Sequence, residues 1–348
     1  MKLRSFGKSL ALFMLALNAS PKGIASANAA PKKPVNTITS PAQTEPRRYL
    51  LGKPLGLALS LEAPSLGITF RPDGDSKEEV VYQPNSLLNW GVGLEYEGYG
   101  ATLTLPVASS EQDVIRKGET KHFDLILSRY WDEGGVDFFY AVYRGFYRDR
   151  GEATQQSTLQ SGESPTYQQR PDLYARHIGG NFYHVFNPGR FKLKTPVEMA
   201  GPERVGGGSW LGIFGLDQYR IASSDPVLAV EKAQKLDASA RFYSSEFLSA
   251  TLGGGYGYAQ TYGPQFFRLQ LLMGFGPQWQ KLEYERRDQQ LERVMLGSKI
   301  HLGAEYSYSF ESWRLGALLK YDGVQATLPA VRVDSRVYSA LFYAKTQI

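Results

Sequence analysis

Cysteine is missing from the chain altogether. That excludes disulfide staples, thiolate catalysis and a lipid-modified cysteine at a processing site, so the fold must be held by packing and hydrogen bonds. Long apolar runs are also missing. Past the first thirty or so residues, no segment approaches the roughly 20 apolar residues that a transmembrane helix needs, which excludes a helical membrane protein. Excess charge of one sign is small: 39 basic residues face 34 acidic ones, for a formal +5. Several of the basic residues, among them Lys2, Arg4, Lys8, Lys22 and Lys32, crowd the N-terminus. Nucleic-acid binding gains no support from that balance. No Asp, Glu or His cluster has metal-ligand spacing, so neither a metal nor another cofactor is expected.

What is present begins with an export address. Lys2, Arg4 and Lys8 precede the apolar stretch Leu10 to Leu17, and Ala27-Asn28-Ala29 supplies a small-x-small cleavage site. Together these read as a secretory signal peptide over residues 1–29. Residues 30–48 are rich in Pro, Thr and Lys without periodicity and read as a disordered extension. From 49 to 348 strand-like segments recur with no convincing linker, which implies a single domain. Its composition is unusual in aromatics and glycine, with 22 Tyr, 18 Phe and 36 Gly.

Alternation carries the fold assignment. Ile300, Leu302, Ala304, Tyr306, Tyr308 and Phe310 share one face of a strand whose other face carries Lys299, His301, Gly303, Glu305, Ser307 and Ser309. Trp313, Leu315, Ala317, Leu319 and Tyr321 repeat the pattern against Arg314, Gly316, Leu318, Lys320 and Asp322 after a reversal at Glu311-Ser312. Phe267 to Gln280 does so again. A soluble antiparallel sheet with one wet face also alternates, but its strands usually run about 5 to 6 residues. Here about ten apolar-faced positions end in aromatics, which suits a tilted bilayer crossing with interfacial girdles. The expected fold is an all-β, antiparallel, up-and-down transmembrane β-barrel.

Crossings are expected to start near Asn89, Ala101, His122, Val136, Tyr174, Phe191, Ser209, Ala250, Phe266, Met295, Trp313 and Arg336, about twelve strands. A short strand from Leu66 to Phe70 and a partner near Ala240 to Phe247 would make fourteen. Glu97-Gly98, Asp132-Glu133 and Asn187-Pro188-Gly189-Arg190 have the residues of tight reversals. One helix is expected in a loop, starting at Asp225-Pro226 and running through VLAVEKAQKL. The polar stretch Arg148 to Asp172 reads as a long exposed connection.

Several stretches also carry a resemblance. YQPNSLLNWGVGLEYEGYGATLTL (82–105), KHFDLILSRYWDEGGVDFFYAVYRGFY (121–147), RPDLYARHIGGNFYHVFNPGRFKLKTP (170–196) and GGGYGY (253–258) resemble an uncharacterised, domain-of-unknown-function family of outer-membrane β-barrel proteins of Bacteroidetes type. The resemblance covers most of the chain in order. It implies a barrel in the bacterial outer membrane and transfers no activity.

Candidate site residues are those facing the expected lumen: Arg268, Lys299, His301, Glu305, Arg314, Lys320 and Asp322. Such charges either line a narrow water path or pair and close it. Catalytic groups are thin. His122, His177, His184 and His301 are the only histidines; His177 and His184, seven residues apart in one strand, fall on opposite faces. A histidine in an ionic network is favoured over a catalytic one, and no enzyme activity is expected. The Gly-x-Gly spacings of GGGYGY precede no helix that could hold phosphate. The leading function is a narrow pore or a structural outer-membrane protein. A membrane-embedded lipid-modifying enzyme and a soluble periplasmic β-sheet binding protein are the alternatives, the last favoured by a C-terminus (Ala344 to Ile348) without a terminal aromatic. Expected partners are outer-membrane lipid and lipopolysaccharide, the barrel-assembly machinery, and small solutes or ions.

Overall fold

A computed structural model describes residues 56–62, 66–72, 79–86, 88–148, 167–193, 206–227, 242–284, 290–310, 313–327 and 331–347. The expected signal peptide, the extension over 30–48, the helix beyond Pro226 past residue 227, and most of the connection after Arg148 lie outside these residues.

The described chain is one antiparallel sheet that closes on itself. Its strands are β1 (Gly56–Glu62), β2 (Leu66–Pro72), β3 (Val80–Gln83), β4 (Asn89–Tyr96), β5 (Tyr99–Pro106), β6 (Lys121–Trp131), β7 (Gly134–Arg148) and β8 (Gln168–Val185). They continue with β9 (Gly207–Ala222), β10 (Phe242–Tyr262), β11 (Gln265–Tyr284), β12 (Gln290–Phe310), β13 (Trp313–Thr327) and β14 (Val331–Gln347). Helix α1 (Glu111–Lys117) lies between β5 and β6.

Fourteen strands make twelve crossings. β1 and β2 lie in succession along β14, with Gly56 opposite Gln347, Glu62 opposite Leu341, and Leu66 opposite Val337. β3 returns along β2 and β4 along β1, so β1 with β2, and β3 with β4, each make one interrupted strand. The expected number of twelve is matched, with the interrupted strand of β1 and β2 standing in for the crossing expected at Phe191. β14 pairs with β1, so neither sheet edge is left open there.

The two ends of the barrel differ. At the turn end, which holds Gly56 and Gln347, the ring has all twelve crossings, and adjacent strands reverse at Glu97-Gly98, Asp132-Glu133 and Gly263-Pro264. Glu97 and Gly98 both take positive φ, 52° and 80°, as a type I′ hairpin demands. At the loop end β5 and β6 have stopped, and β3 pairs directly with β7 through Tyr82–Arg148 and Gln83–Tyr147. The order there is β14-β2-β3-β7-β8-β9-β10-β11-β12-β13, ten strands in a ring.

The step from twelve strands to ten leaves a discontinuity in the wall, and Asn85 stitches it. Its Nδ2 donates to the carbonyls of Gly118 (2.6 Å) and Asp113 (3.2 Å), while its backbone N–H donates to Thr120 Oγ1, which donates in turn to Gly145 O. Gly145 (φ 84°) sits at the β7 bulge. Helix α1, unexpected at this position, is capped at both ends. Ser110 accepts from the Asp113 N–H, its hydroxyl donates to Asp113 Oδ2, and Gly118 follows the last turn. That Ser110 bond, with Lys117 beside it, holds the Asp113 carboxyl below its ordinary range.

Burial follows the alternation. On β11 Leu271 is 44% exposed and its neighbour Leu272 1%. Leu269, Met273 and Phe275 also face outward, as do Trp90, Val92, Leu94 and Tyr96 on β4, and Leu302, Tyr306, Tyr308 and Phe310 on β12. An exposed apolar surface this continuous is a membrane face, not that of a soluble monomer. It stops partway along the long strands. On β9 the outward series Trp210, Phe214, Leu216 gives way to Gln218 and Arg220, and on β11 it ends in Lys281 and Glu283. β5 and β6, with 8 and 11 residues, are as long as a crossing of about 10 residues requires, whereas β10, β11 and β12 have 20 or 21. The membrane band therefore lies on the turn-end half, and the ten-strand half stands beyond it.

Two expected crossings are corrected. Phe191 begins no strand: it follows the Asn187–Arg190 turn and is fully buried inside the barrel. The segment from Ala240 to Phe247 is not separate from the strand at Ala250, since residues 242–262 form β10 without interruption. The expected loop Arg148 to Asp172 also ends earlier, at Gln168, where β8 starts.

Candidate functional site: the barrel interior

The interior of the loop-end half is apolar. Leu66, Ile68 and Phe70 from β2, Val80 and Tyr82 from β3, Tyr143 from β7, Ile221 from β9, Phe242 from β10 and Leu282 from β11 form one buried cluster. Phe70 and Phe242 meet at 6.1 Å between ring centroids. Val227, in the connection after β9, drops into the same cluster and accepts from Tyr82 Oη at 2.6 Å. Arg170 Nη1 donates to the carbonyls of Pro226 and Val227, and its Nε donates to Asp172, so the cap is hydrogen-bonded as well as packed. On the β11–β12 side Gln278 and Gln280, fully buried, bond to Ser249 and Arg293.

A second apolar cluster fills the β8–β11 side toward the turn end. Phe191 and Leu193, from the connection after β8, pack there against Tyr183, Leu211 and Leu272. Gly257 permits this: a Cβ at that position would lie 2.5 Å from Phe191 Cζ.

Between and beside these clusters lies a polar network. Lys299 on β12 reaches across to Asp217 on β9, with Nζ 3.0 and 2.9 Å from the two carboxylate oxygens, and to Asn181 Oδ1 on β8 at 2.7 Å. His177 Nε2 shares Asp217 Oδ1 at 3.0 Å, its ring held between Phe139 and Tyr219. Asp322 pairs with His301 Nδ1 at 2.6 Å, and Gln270 holds the other ring nitrogen at 2.7 Å. Arg268 meets Glu305 at 2.6 Å, and Tyr343 donates to the other Glu305 oxygen. Breaking a buried pair of this kind leaves an uncompensated charge.

The structure thus joins six of the seven candidate residues to interior groups as follows: Arg268 with Glu305, His301 with Asp322, Lys299 with Asp217, and Lys320 on a cavity wall near Asp322. Arg314 stands apart near the turn end, donating to Ser309 Oγ and lying over the Phe266 ring. Of the other histidines, His122 stacks on Tyr143 and His184 faces outward against Phe186. Sequence reasoning missed Asp217, Asn181, Glu62, Asp124 and Asp137. Their signal is parity: each is a polar residue on the inward face of an alternating strand, as Asp217 is among Leu211, Ile213 and Tyr219.

A cavity of about 190 Å³ remains. Its β1, β4 and β5 wall is made of small residues, Ala58, Ser60, Gly93, Gly100 and Thr102, while larger side chains from β7, β8, β12 and β13 face them. It runs from the level of Gly100, beside the β4–β5 turn, to Leu66 at the margin of the loop-end cluster. Glu62, Asp124 and Asp137 are on its wall.

A closed antiparallel ring with an apolar outer band defines a transmembrane β-barrel protein. Residues 55–327 match the family described as Domain of unknown function (DUF4421), and the chain belongs to that family. No curated protein sequence matches it. Among solved structures, it is similar to the outer membrane protease OmpT from Escherichia coli at 8% identity and TM-score 0.36, over 86% of this chain and 99% of that one. It is also similar to the toluene transporter TodX of P. putida (8% identity, TM-score 0.30, 86% and 91% covered) and to Ail, the attachment invasion locus protein of Yersinia pestis (10%, 0.24, 84% and 99%).

Proposed function

We propose that the protein is a bacterial outer-membrane barrel whose lumen is sealed at the loop end, a closed membrane protein and not an open pore. The contact of Phe70 with Phe242 across the ten-strand ring carries this reading. A ring in contact with its diametric opposite, with Tyr82 and Val227 packed in the same cluster, supports a lumen closed at that level. The export address, the apolar band and family membership support residence in the outer membrane. In barrels of this kind short turns face the periplasm and longer connections the exterior, which favours an orientation with the ten-strand half outside, beside lipopolysaccharide. The interior histidine–carboxylate pairs then lie away from lipid, where a lipid-modifying enzyme has no use for them.

Liposome swelling tests the reading. Vesicles carrying the folded protein should swell in small sugars no faster than empty ones. Swelling that scales with protein content and falls with solute size would establish a pore and overturn it.

A further inference from the structure

The cavity wall carries more acid than the protein neutralises. Glu62 on β1 accepts from Ser60 Oγ at 3.1 Å, and Asp124 on β6 accepts from Tyr143 Oη at 2.5 Å. Asp137 on β7 accepts from Tyr130. All these donors are hydroxyls, which carry no charge. Glu62 and Asp124 line the same cavity, so two acidic groups share one wall. Asp124 Oδ1 is buried and finds no hydrogen-bond partner among the described residues. The cations of the cavity do not make up the difference. Lys299 is engaged by Asp217 and His301 by Asp322, which leaves Lys320 on a wall that also carries Glu62, Asp124 and Asp137. Buried carboxylates without a paired cation are costly, and the cost falls when a cation arrives.

The rest of the lining says what kind of cation. Among the described residues no three His, Cys, Asp or Glu side chains converge as a metal site, which disfavours a divalent metal ion. Aromatic rings do converge: Tyr343 reaches the cavity from β14, and Phe139, Tyr143 and Tyr219 reach it from β7 and β9 while also contacting His177 or His122. Ring faces attract organic cations. The volume exceeds the roughly 150 Å³ that admits a benzene ring.

From this juxtaposition we infer that the cavity is a binding site for a small organic monocation, an amine carrying about one ring of apolar bulk, with Glu62 and Asp124 receiving the ammonium group. The cavity's reach toward the β4–β5 turn sets entry from the turn end. This deepens the sealed-barrel reading only in taking the loop-end cluster as the chamber's floor. Failure of that reading shows in vesicle swelling, whereas failure of this one shows in binding.

The test is titration calorimetry of the full, detergent-folded protein with benzylamine, benzyl alcohol and benzoate, probes of one shape and three charges. Benzylamine should bind saturably at one site, benzyl alcohol at least tenfold more weakly, and benzoate not at all. Glu62→Gln and Asp124→Asn, each checked for heat-modifiable gel mobility, should weaken benzylamine at least tenfold. Equal affinity for the three probes, no saturable benzylamine binding, or unchanged affinity in both folded variants would overturn the assignment. The charge series on the unaltered protein decides the matter even if the variants fail to fold.

Discussion

Phe70 and Phe242 lie on strands five places apart in either direction around the ten-strand ring, yet their rings are 6.1 Å apart. On the proposed sealed-lumen reading, contact between diametric opposites gives this half of the barrel a core where a channel would have water. The pair should behave as core residues do. Phe70→Ala and Phe242→Ala should each cost about 3–5 kcal/mol, read as a lowered urea midpoint of the folded protein in detergent.

Lys299 and Asp217 form the central crosslink of the polar network, both almost fully buried. Lys299→Met leaves Asp217 with His177 as its remaining hydrogen-bond partner among the described residues and should cost about 3–5 kcal/mol. Adding Asp217→Asn removes the stranded charge, so the double variant should recover much of that loss in the same urea series. A double variant that loses the sum of the two single effects would show that the residues are not coupled.

The limits of the membrane band can be read by arginine substitution. Leu271 faces outward near the middle of the band and Gln218 just beyond it. Leu271→Arg should cost about 2–4 kcal/mol in a bilayer, whereas Gln218→Arg should cost about 0–1. Equal costs in refolding titrations would displace the band from where the outward series changes.

Phe191 rests on the bare backbone of Gly257. Gly257→Ala should push it out of the second cluster at about 1–3 kcal/mol and speed protease cleavage after Arg190. Phe191→Ala in the same chain should remove most of the added stability cost, because the methyl group then has space.

How legible this was in the sequence depends on the range of each interaction. The faces of β12 and β13 were readable because alternation is local: Ile300 to Phe310 turn outward, and Lys299, His301 and Glu305 inward, with no knowledge of neighbours. Phe191 misleads for the same reason. FKL alternates like a crossing, but its apolar residues pack into the interior, and periodicity does not distinguish lipid from core. The capping pattern Ser110-x-x-Asp113 ahead of Gly118 was available and marks α1. What local pattern cannot hold is partnership: Lys299 finds Asp217 82 residues away and Asn181 118 away, distances set by barrel closure. The excess of acid around Glu62 and Asp124 is likewise visible only once β1 and β6 face one chamber.

Conductance across a planar bilayer tests the sealed lumen most directly. Protein shown to be folded by heat-modifiable mobility should insert without discrete current steps in molar salt, and a Phe70→Ala, Phe242→Ala double variant that remains folded should begin to show them. Steady steps from the unaltered protein would contradict a barrel closed by that pair.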